Sequence, residues 1–551
     1  MLMAAIIFFI ILTWLAILLG KYVAYVYRDE ANSLINNLRI PLLNIKPQTW
    51  DQYFRSLMCF NIICTVVTFI IIYFQEYLPL NSNLQEGLGL AASLNAAVSF
   101  TTGTFWQSHN PETQLSMFSQ LFALTLQNFL SGGTGIAVFI AFTRGIINNN
   151  NPLLGNFYED FFKSIFLILL PISLVISLFL VSQSVPFDFV GQLNYIDLTG
   201  NQQQLFIGPV AGQVAIKNLV ANGGSLFASA SAHPFEAPNR VVVIFSLFLV
   251  LWLPVALIFT YGYLLKEPKL SWSLYAVVLF IMVISLWLIN LGENEYGVPL
   301  VLSKESLQDT FNYTGKELIY DKFPSLMWIL SITTSSSGSA NACLENYSPL
   351  STLVMFASLV LSKFVLEGVG SGFFAMLAYL VVAIFLRGLI TGNNANFFGK
   401  KISIREINYV VVVFLLVPVG ILFFTGITLL LPISKALITY PASQAVTDIT
   451  YNFASTFTNN GSVLTGINIA NDYFNYTTAI AMLIGRYPVI YYSLALSGSF
   501  ANKKKIVNLR QEESQFGGEL SIFLIIIVLL VGAIAFLPLV ILGPFLEFIR
   551  M

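Results

Sequence analysis

Four short tracts, Thr101-Thr102-Gly103, Ala221-Asn222-Gly223, Ser336-Ser337-Gly338 and Asn459-Asn460-Gly461, bring small or polar uncharged residues up to a glycine. Residues of these types can build a filter for a dehydrating cation. Backbone carbonyls turned toward one axis replace the ion's water shell, and glycine adopts the backbone angles that residues with a Cβ resist. None of the tracts contains Asp or Glu. Neutral oxygens suit a weakly hydrated monovalent cation, whereas Ca²⁺ and Mg²⁺ sites usually recruit carboxylates; K⁺ is favoured, with Na⁺ and NH₄⁺ left open. Taken singly, each tract is also an ordinary polar turn. Repetition separates the two readings, because Gly103, Gly223, Gly338 and Gly461 lie 120, 115 and 123 residues apart, each between apolar runs. Gln107, just past the first tract, is placed either to tune the entrance or to cap the loop. His109 and His233 are the only histidines; neither has partners at metal-ligand spacing, so both read as local hydrogen-bonding residues.

The elements that position these tracts are membrane spans. Of 551 residues, 56% are hydrophobic and 10% charged, and mean hydropathy is +0.78. A soluble chain of this size carries roughly a quarter charged residues. The net charge of −1 offers no basic surface for nucleic acid, and three cysteines (Cys59, Cys64, Cys343) indicate neither a disulfide framework nor a metal site. Apolar runs predict ten spans, at 3–27, 57–78, 115–143, 161–182, 240–265, 271–291, 349–388, 408–432, 473–499 and 519–548. The first lacks a basic n-region and a small-residue cleavage site, so it reads as a retained helix.

The expected fold is therefore an all-α polytopic membrane protein. Ten transmembrane helices form four pseudo-fourfold helix–pore loop–helix repeats of potassium-channel type, with one extra helix at each end. The units are 1–56 (first helix and loop), 57–145, 160–266, 271–400 and 407–500 (pore repeats 1 to 4), and 518–551 (last helix). Pro209, Pro324 and Pro441 sit near the starts of three pore helices, where a missing N–H does no harm. The C-terminal ends of such helices favour a cation near mid-membrane. Lys and Arg concentrate on one set of loops, which the positive-inside rule places in the cytoplasm; all four glycine loops and both termini then lie outside.

The seventh run of about 40 residues exceeds the ~20 a bilayer needs and is interrupted by Gly368-Val369-Gly370-Ser371-Gly372. Gly368, Gly370 and Gly372 read as a gating break beneath the filter or as a small-residue packing face. Lys363 and Glu367 are spaced to pair along one helix face. Arg486 is a further charge near mid-membrane, with a functional role or a structural ion pair both open.

With Gly208-Pro209, Ala215-Ile216-Lys217, Asn222-Gly223-Gly224 and Ser231-Ala232-His233-Pro234-Phe235-Glu236 in hand, the chain resembles the potassium-binding A subunits of prokaryotic Kdp potassium-uptake ATPases (KdpA). Leu154-Gly155-Asn156-Phe157, Gly368–Gly372, Gly399-Lys400-Lys401-Ile402 and Asn460-Gly461-Ser462 extend the resemblance over essentially the whole length. The resemblance implies a K⁺-selecting subunit that passes the ion to a partner P-type ATPase subunit (KdpB), which hydrolyses ATP. An accessory subunit (KdpC) and a small single-helix subunit (KdpF) are implied as further partners. It also implies filter positions at the four tracts, gating at the glycine break, and a prokaryotic inner or plasma membrane. The chain departs from the family at Ser225-Leu226, Ser337, Lys363, Glu367 and Gly392–Asn396. It carries neither an Asp-Lys-Thr-Gly phosphorylation sequence nor a Walker A loop, so by itself it is not an ATPase. K⁺ is expected as substrate, with no covalently bound cofactor. The alternative is a Trk/Ktr-like potassium uptake channel uncoupled from ATP.

Overall fold

The computed structural model describes residues 2–28, 46–81, 84–196, 199–295, 311–316, 320–366, 368–369, 372–392, 395–432, 442–505 and 517–542. In chain order the main helices are α1 (Leu2–Tyr27), α2 (Trp50–Tyr73), α3 (Leu90–Thr101), α4 (Met117–Ile147), α5 (Phe157–Ser182), α6 (Val210–Leu219), α7 (Arg240–Leu265) and α8 (Pro268–Glu295). There follow α9 (Lys322–Thr334), α10 (Pro349–Val365), α11 (Gly372–Thr391), α12 (Ile404–Leu430), α13 (Ala442–Phe457), α14 (Asp472–Ala501) and α15 (Gly518–Leu542).

Among the described residues, eight of these (α1, α2, α4, α5, α7, α8, α12 and α14) are long and apolar enough to cross a membrane. Their backbone groups pair within each helix, as a solvent without water requires. The seventh expected span is the broken pair α10–α11, and the tenth corresponds to α15. The second helix begins at Trp50, seven residues before the expected start. Its first turn is polar but closed on itself: Gln52 Oε1 accepts the Thr49 N–H at 3.1 Å, and Asp51 pairs with Arg55 at 2.8 Å.

Four short helices, α3, α6, α9 and α13, each sit between two longer ones. α3 and α13 are rich in Ala, Ser and Thr, α9 carries two Ser and two Thr and α6 two Ala, and the described residues of all four are mostly buried. Small side chains let neighbouring backbones approach, and the hydroxyls bond back to their own helix, as Ser331 Oγ does to Met327 O at 2.7 Å. Pro209 caps α6, while Pro324 is the third residue of α9. Pro441 lies outside the described residues. Packed around these short helices, α4 and α7 are largely buried, whereas α1, α2, α5 and α12 expose apolar side chains outward. Helix α1 is held on α7 by close approach at Gly20, whose carbonyl accepts from Thr260 Oγ1 at 3.2 Å.

On the face opposite the glycine tracts, a lysine closes a helix end. Lys400 is fully buried, and its ammonium donates to the carbonyls of Gly145 (3.1 Å), Ile146 (2.9 Å) and Asn148 at the C-terminus of α4. These carbonyls have no intrahelical partner, and a cation there also complements the helix dipole. Lys400→Met should cost on the order of 1–3 kcal/mol, since it leaves the buried carbonyls without donors. The expected outcome is a thermal midpoint of the purified protein in detergent several degrees lower; an unchanged midpoint would contradict this role.

Candidate functional site

Each short helix delivers a tract whose backbone turns sharply at its end. The N–H of Asn222 reaches back to Lys217 O at 3.1 Å, that of Ser337 to Ile332 O at 3.1 Å, and that of Asn460 to Ser455 O at 2.8 Å. In the first repeat the residue making this five-residue step is Thr104, to Ser99 O at 3.0 Å. The dihedrals agree. Positive φ occurs just before the step at Ala221 (51°), Ser336 (58°), Asn459 (55°) and Gly103 (73°), and just after it at Gly223 (80°), Gly338 (66°), Gly461 (94°) and Phe105 (54°). The first-repeat counterpart of Ala221–Gly223 is thus Gly103–Phe105, two residues later than Thr101–Gly103. Thr101 and Thr102 finish α3 instead, with their hydroxyls bonded to Ala97 O and Val98 O, both at 2.8 Å. Distance from the helix end, rather than the glycine, sets the register.

The tracts close into a ring. A Cβ on Gly223 would lie 1.7 Å from Ser337 O, one on Gly338 would lie 2.2 Å from Asn460 O, and one on Gly461 would lie 2.1 Å from Thr104 O. Each glycine is seated on the carbonyl that precedes the equivalent position of the next tract. Side chains rivet the same interfaces. Asn459 Nδ2 donates to Thr104 Oγ1 (2.9 Å), and Asn460 Nδ2 donates to Ile332 O in α9 (2.8 Å). Asn222 Nδ2 donates to Ser131 Oγ in α4 at 2.8 Å. These amides are held in place through their Nδ2 donors, and the Ser337 Oγ in the third tract has no hydrogen-bond partner.

Gln107 acts as a clamp. Its Nε2 donates to Ser225 O at 3.2 Å while its Oε1 accepts the Ser225 N–H at 3.1 Å, which joins the first tract to the second. Above the ring, a cavity of about 590 Å³ is lined by residues that include Phe105, Gln107, Gly224, Gly338 and Gly461. His109 borders it with both ring nitrogens lacking hydrogen-bond partners, contrary to the hydrogen-bonding role expected of it. His233 fits that expectation, accepting the Phe235 N–H at 3.1 Å and stacking on Phe227. Burial pushes both imidazoles down to about 4, so neither is cationic near neutral pH. Among the described residues, no group of three or more His, Cys, Asp or Glu could hold a metal ion.

At the deep end, the glycine break packs under two tracts. Gly368 N–H donates to Ser335 O at 2.7 Å and Val369 N–H to Val220 O at 3.4 Å, and a Cβ on Gly368 would approach Ala221 O within 3.0 Å. Gly372 opens α11. Lys363 belongs to the last turn of α10; its side chain, Glu367 and Gly370 lie outside the described residues. Arg486, in α14, is buried with its guanidinium beside Gly103: a Cβ there would be 3.7 Å from Nη2.

Spanning helices that hold four short helices and their glycine tracts in a ring define a multi-pass membrane protein of the pore-loop class. The fold is similar to that of the potassium transporter TrkH from Vibrio parahaemolyticus, with a TM-score of 0.54 and 15% identity over 89% of this chain and 97% of that one. Residues 6–549 match the family model KdpA, Potassium-transporting ATPase A subunit, and the chain belongs to that family. It is 35% identical to the potassium-transporting ATPase potassium-binding subunit of Leptospira interrogans, over 96% of this chain and 94% of the relative. Similarity to the proteins of the same name from Pseudomonas fluorescens (36%, covering 92% and 89%) and Hydrogenobaculum (35%, covering 99% and 97%) is comparable.

Sequence reasoning missed Thr104 and Phe105 because it anchored the first tract on its glycine. Lys217 and Glu236 stood in the quoted runs without a role, although a lysine inside a short membrane helix is itself a signal.

Two outcomes are expected. Gly461→Ala, whose Cβ must displace the Thr104 carbonyl, should weaken apparent K⁺ affinity at least about tenfold, as overpacking costs ~1–3 kcal/mol; wild-type affinity in K⁺ titrations would refute the ring. Because the imidazoles titrate near 4, K⁺ affinity should stay flat from pH 8 to pH 6. A decline centred near 6.5 would show a histidine charging beside the entrance.

Proposed function

We propose that this chain is the potassium-binding and translocating subunit of a high-affinity, ATP-driven K⁺ uptake complex. The observation that carries the reading is the ring itself: three glycines, each with no room for a Cβ, seated on the carbonyls of adjacent tracts in a chain of the potassium-transporting ATPase A subunit family. The relatives' name, potassium-binding subunit of a potassium-transporting ATPase, supports K⁺ as substrate and a multi-subunit assembly. The family match favours this reading over the Trk-like alternative, since the likeness to TrkH is one of fold.

By itself the chain is a non-catalytic subunit. K⁺ enters from outside the cell through the cavity, loses its water to carbonyls of Gly103–Phe105, Ala221–Gly223, Ser336–Gly338 and Asn459–Gly461, and stops above the glycine break. Thr101 and Thr102 support the first tract from the end of α3. Gln107 holds the entrance by clamping Ser225. Gly368, Gly370 and Gly372, with Lys363, Glu367 and Arg486, form the gate, where the cationic Arg486 opposes passage straight through. The ion then moves sideways to a partner P-type ATPase subunit (KdpB) that hydrolyses ATP, with an accessory subunit (KdpC) and a small single-helix subunit (KdpF) completing the complex. The assembly sits in the prokaryotic inner or plasma membrane, with both termini of this chain outside. The four pore repeats, 57–145, 160–266, 271–400 and 407–500, each contribute one tract.

Affinity purification of the tagged chain from its native membrane tests this reading. A P-type ATPase should co-purify, and the complex should hydrolyse ATP in a K⁺-stimulated manner. Passive K⁺ flux from the chain alone in liposomes, with no ATPase attached, would support the uncoupled channel instead.

A further inference from the structure

Behind the second and third tracts lies a chain of buried polar groups whose two ends, Ser225 and Ser339, border the cavity above the ring. Lys217 in α6 is fully buried and Glu236 nearly so. The lysine ammonium pairs with Glu236 Oε2 and also donates to Ser231 Oγ (3.2 Å) and Ser339 Oγ (3.1 Å). From the other carboxylate oxygen, Oε1, the chain continues to Ser225 Oγ at 2.6 Å, and Ser225 is the residue whose backbone Gln107 clamps from the first tract. Ser339 directly follows Gly338; its hydroxyl shares a hydrogen bond with Ser231 Oγ at 2.7 Å, and its carbonyl accepts from Trp328 Nε1 in α9 at 2.9 Å. Beside Ser231 and Glu236, at the middle of the chain, the free space is only about 10 Å³, so solvent has no room there to take over their bonds. Both ends of the chain finish on residues one or two positions beyond the ring glycines.

A buried ion pair is a poor source of stability, because desolvation offsets the attraction, and apolar replacements are often neutral or better. What it can supply is distance. Two opposite charges with fixed hydrogen bonds at both ends resist stretching and compression more than dispersion contacts do. We propose that Lys217 and Glu236, acting through Ser225 and Ser339, are positioning residues that fix the separation of the second and third tracts, and thereby set which monovalent cations the ring accepts. None of the four belongs to Ala221–Gly223 or Ser336–Gly338 themselves. The proposal rests on the reading of the four tracts as the K⁺ site.

The test uses the intact complex and compares apparent affinities for K⁺, Rb⁺ and NH₄⁺ in cation-stimulated ATP hydrolysis. Ser225→Ala and Ser339→Ala each cut one end of the chain and leave the ion pair in place. Each should change the K⁺/Rb⁺ or K⁺/NH₄⁺ affinity ratio on the order of fivefold, the coupling expected between directly bonded groups. Lys217→Met combined with Glu236→Gln removes the charges while keeping an acceptor for Ser225, and should change the ratio in the same direction. Wild-type ratios in both serine variants would overturn the proposal, as would affinities that fall by one common factor for all three ions. If the double variant does not assemble, the serine variants decide. Gly223→Ala separates the two levels: retained K⁺ affinity there refutes the site reading, whereas lost affinity with unchanged ratios in the serine variants refutes only the positioning role.

Discussion

The structure depends on one contact made three times: the α-carbon of a glycine seated on the carbonyl oxygen of the neighbouring tract. At 1.7 to 2.2 Å from a hypothetical Cβ, no other residue fits without moving the backbone of the ring. Such packing needs four helix ends to arrive at one depth. That fits α3, α6, α9 and α13 being short, each between two longer helices. It also explains the left-handed backbone at Ala221, Ser336 and Asn459. A residue with a Cβ pays about 1–2 kcal/mol there, and such strain persists only where the surroundings over-determine it. Here each of those residues lies between a helix end on one side and a glycine seat on the other.

Much of this architecture was legible in the residues. Uninterrupted apolar runs in Leu2–Tyr27 or Arg240–Leu265 leave the backbone no partner but itself, so composition alone specifies a spanning helix. The recurrence of a glycine tract after a short helix between two apolar runs pointed to four tracts in register. Two kinds of information were not local enough to read. The register of the first tract is fixed by the step from Thr104 back to Ser99, a hydrogen bond that leaves no compositional trace when a nearby glycine offers a more obvious anchor. Lys217 and Glu236 are 19 residues apart with a turn between them, and nothing in the spacing reveals that they meet, or that Ser339 of another repeat joins them. The same holds for the break at Gly368: its glycines suggested an interruption, but only the fold brings its N–H to the carbonyl of Ser335.

The four tracts are not equivalent, and their differences compensate one another. Where the other tracts place a glycine, the first has Phe105, held with positive φ and stacked on Phe100. Its ring needs space at the interface with the second tract, and that tract carries a second glycine. A Cβ on Gly224 would lie 2.8 Å from Phe105 Cδ1 and 3.0 Å from its Cβ, so Gly224 makes room for the residue that replaces glycine next door. The same interface bears the Gln107 clamp on Ser225. Four identical subunits could not adopt this solution, because any change made in one would be imposed on all. A single polypeptide can lose the glycine seat at one of four junctions, provided the adjoining tract gives up a side chain in exchange and a two-point amide clamp restores the lost alignment. The ring is thus four-membered in backbone register but not in chemistry, and the first-to-second junction is where side chains rather than a glycine seat join neighbouring tracts.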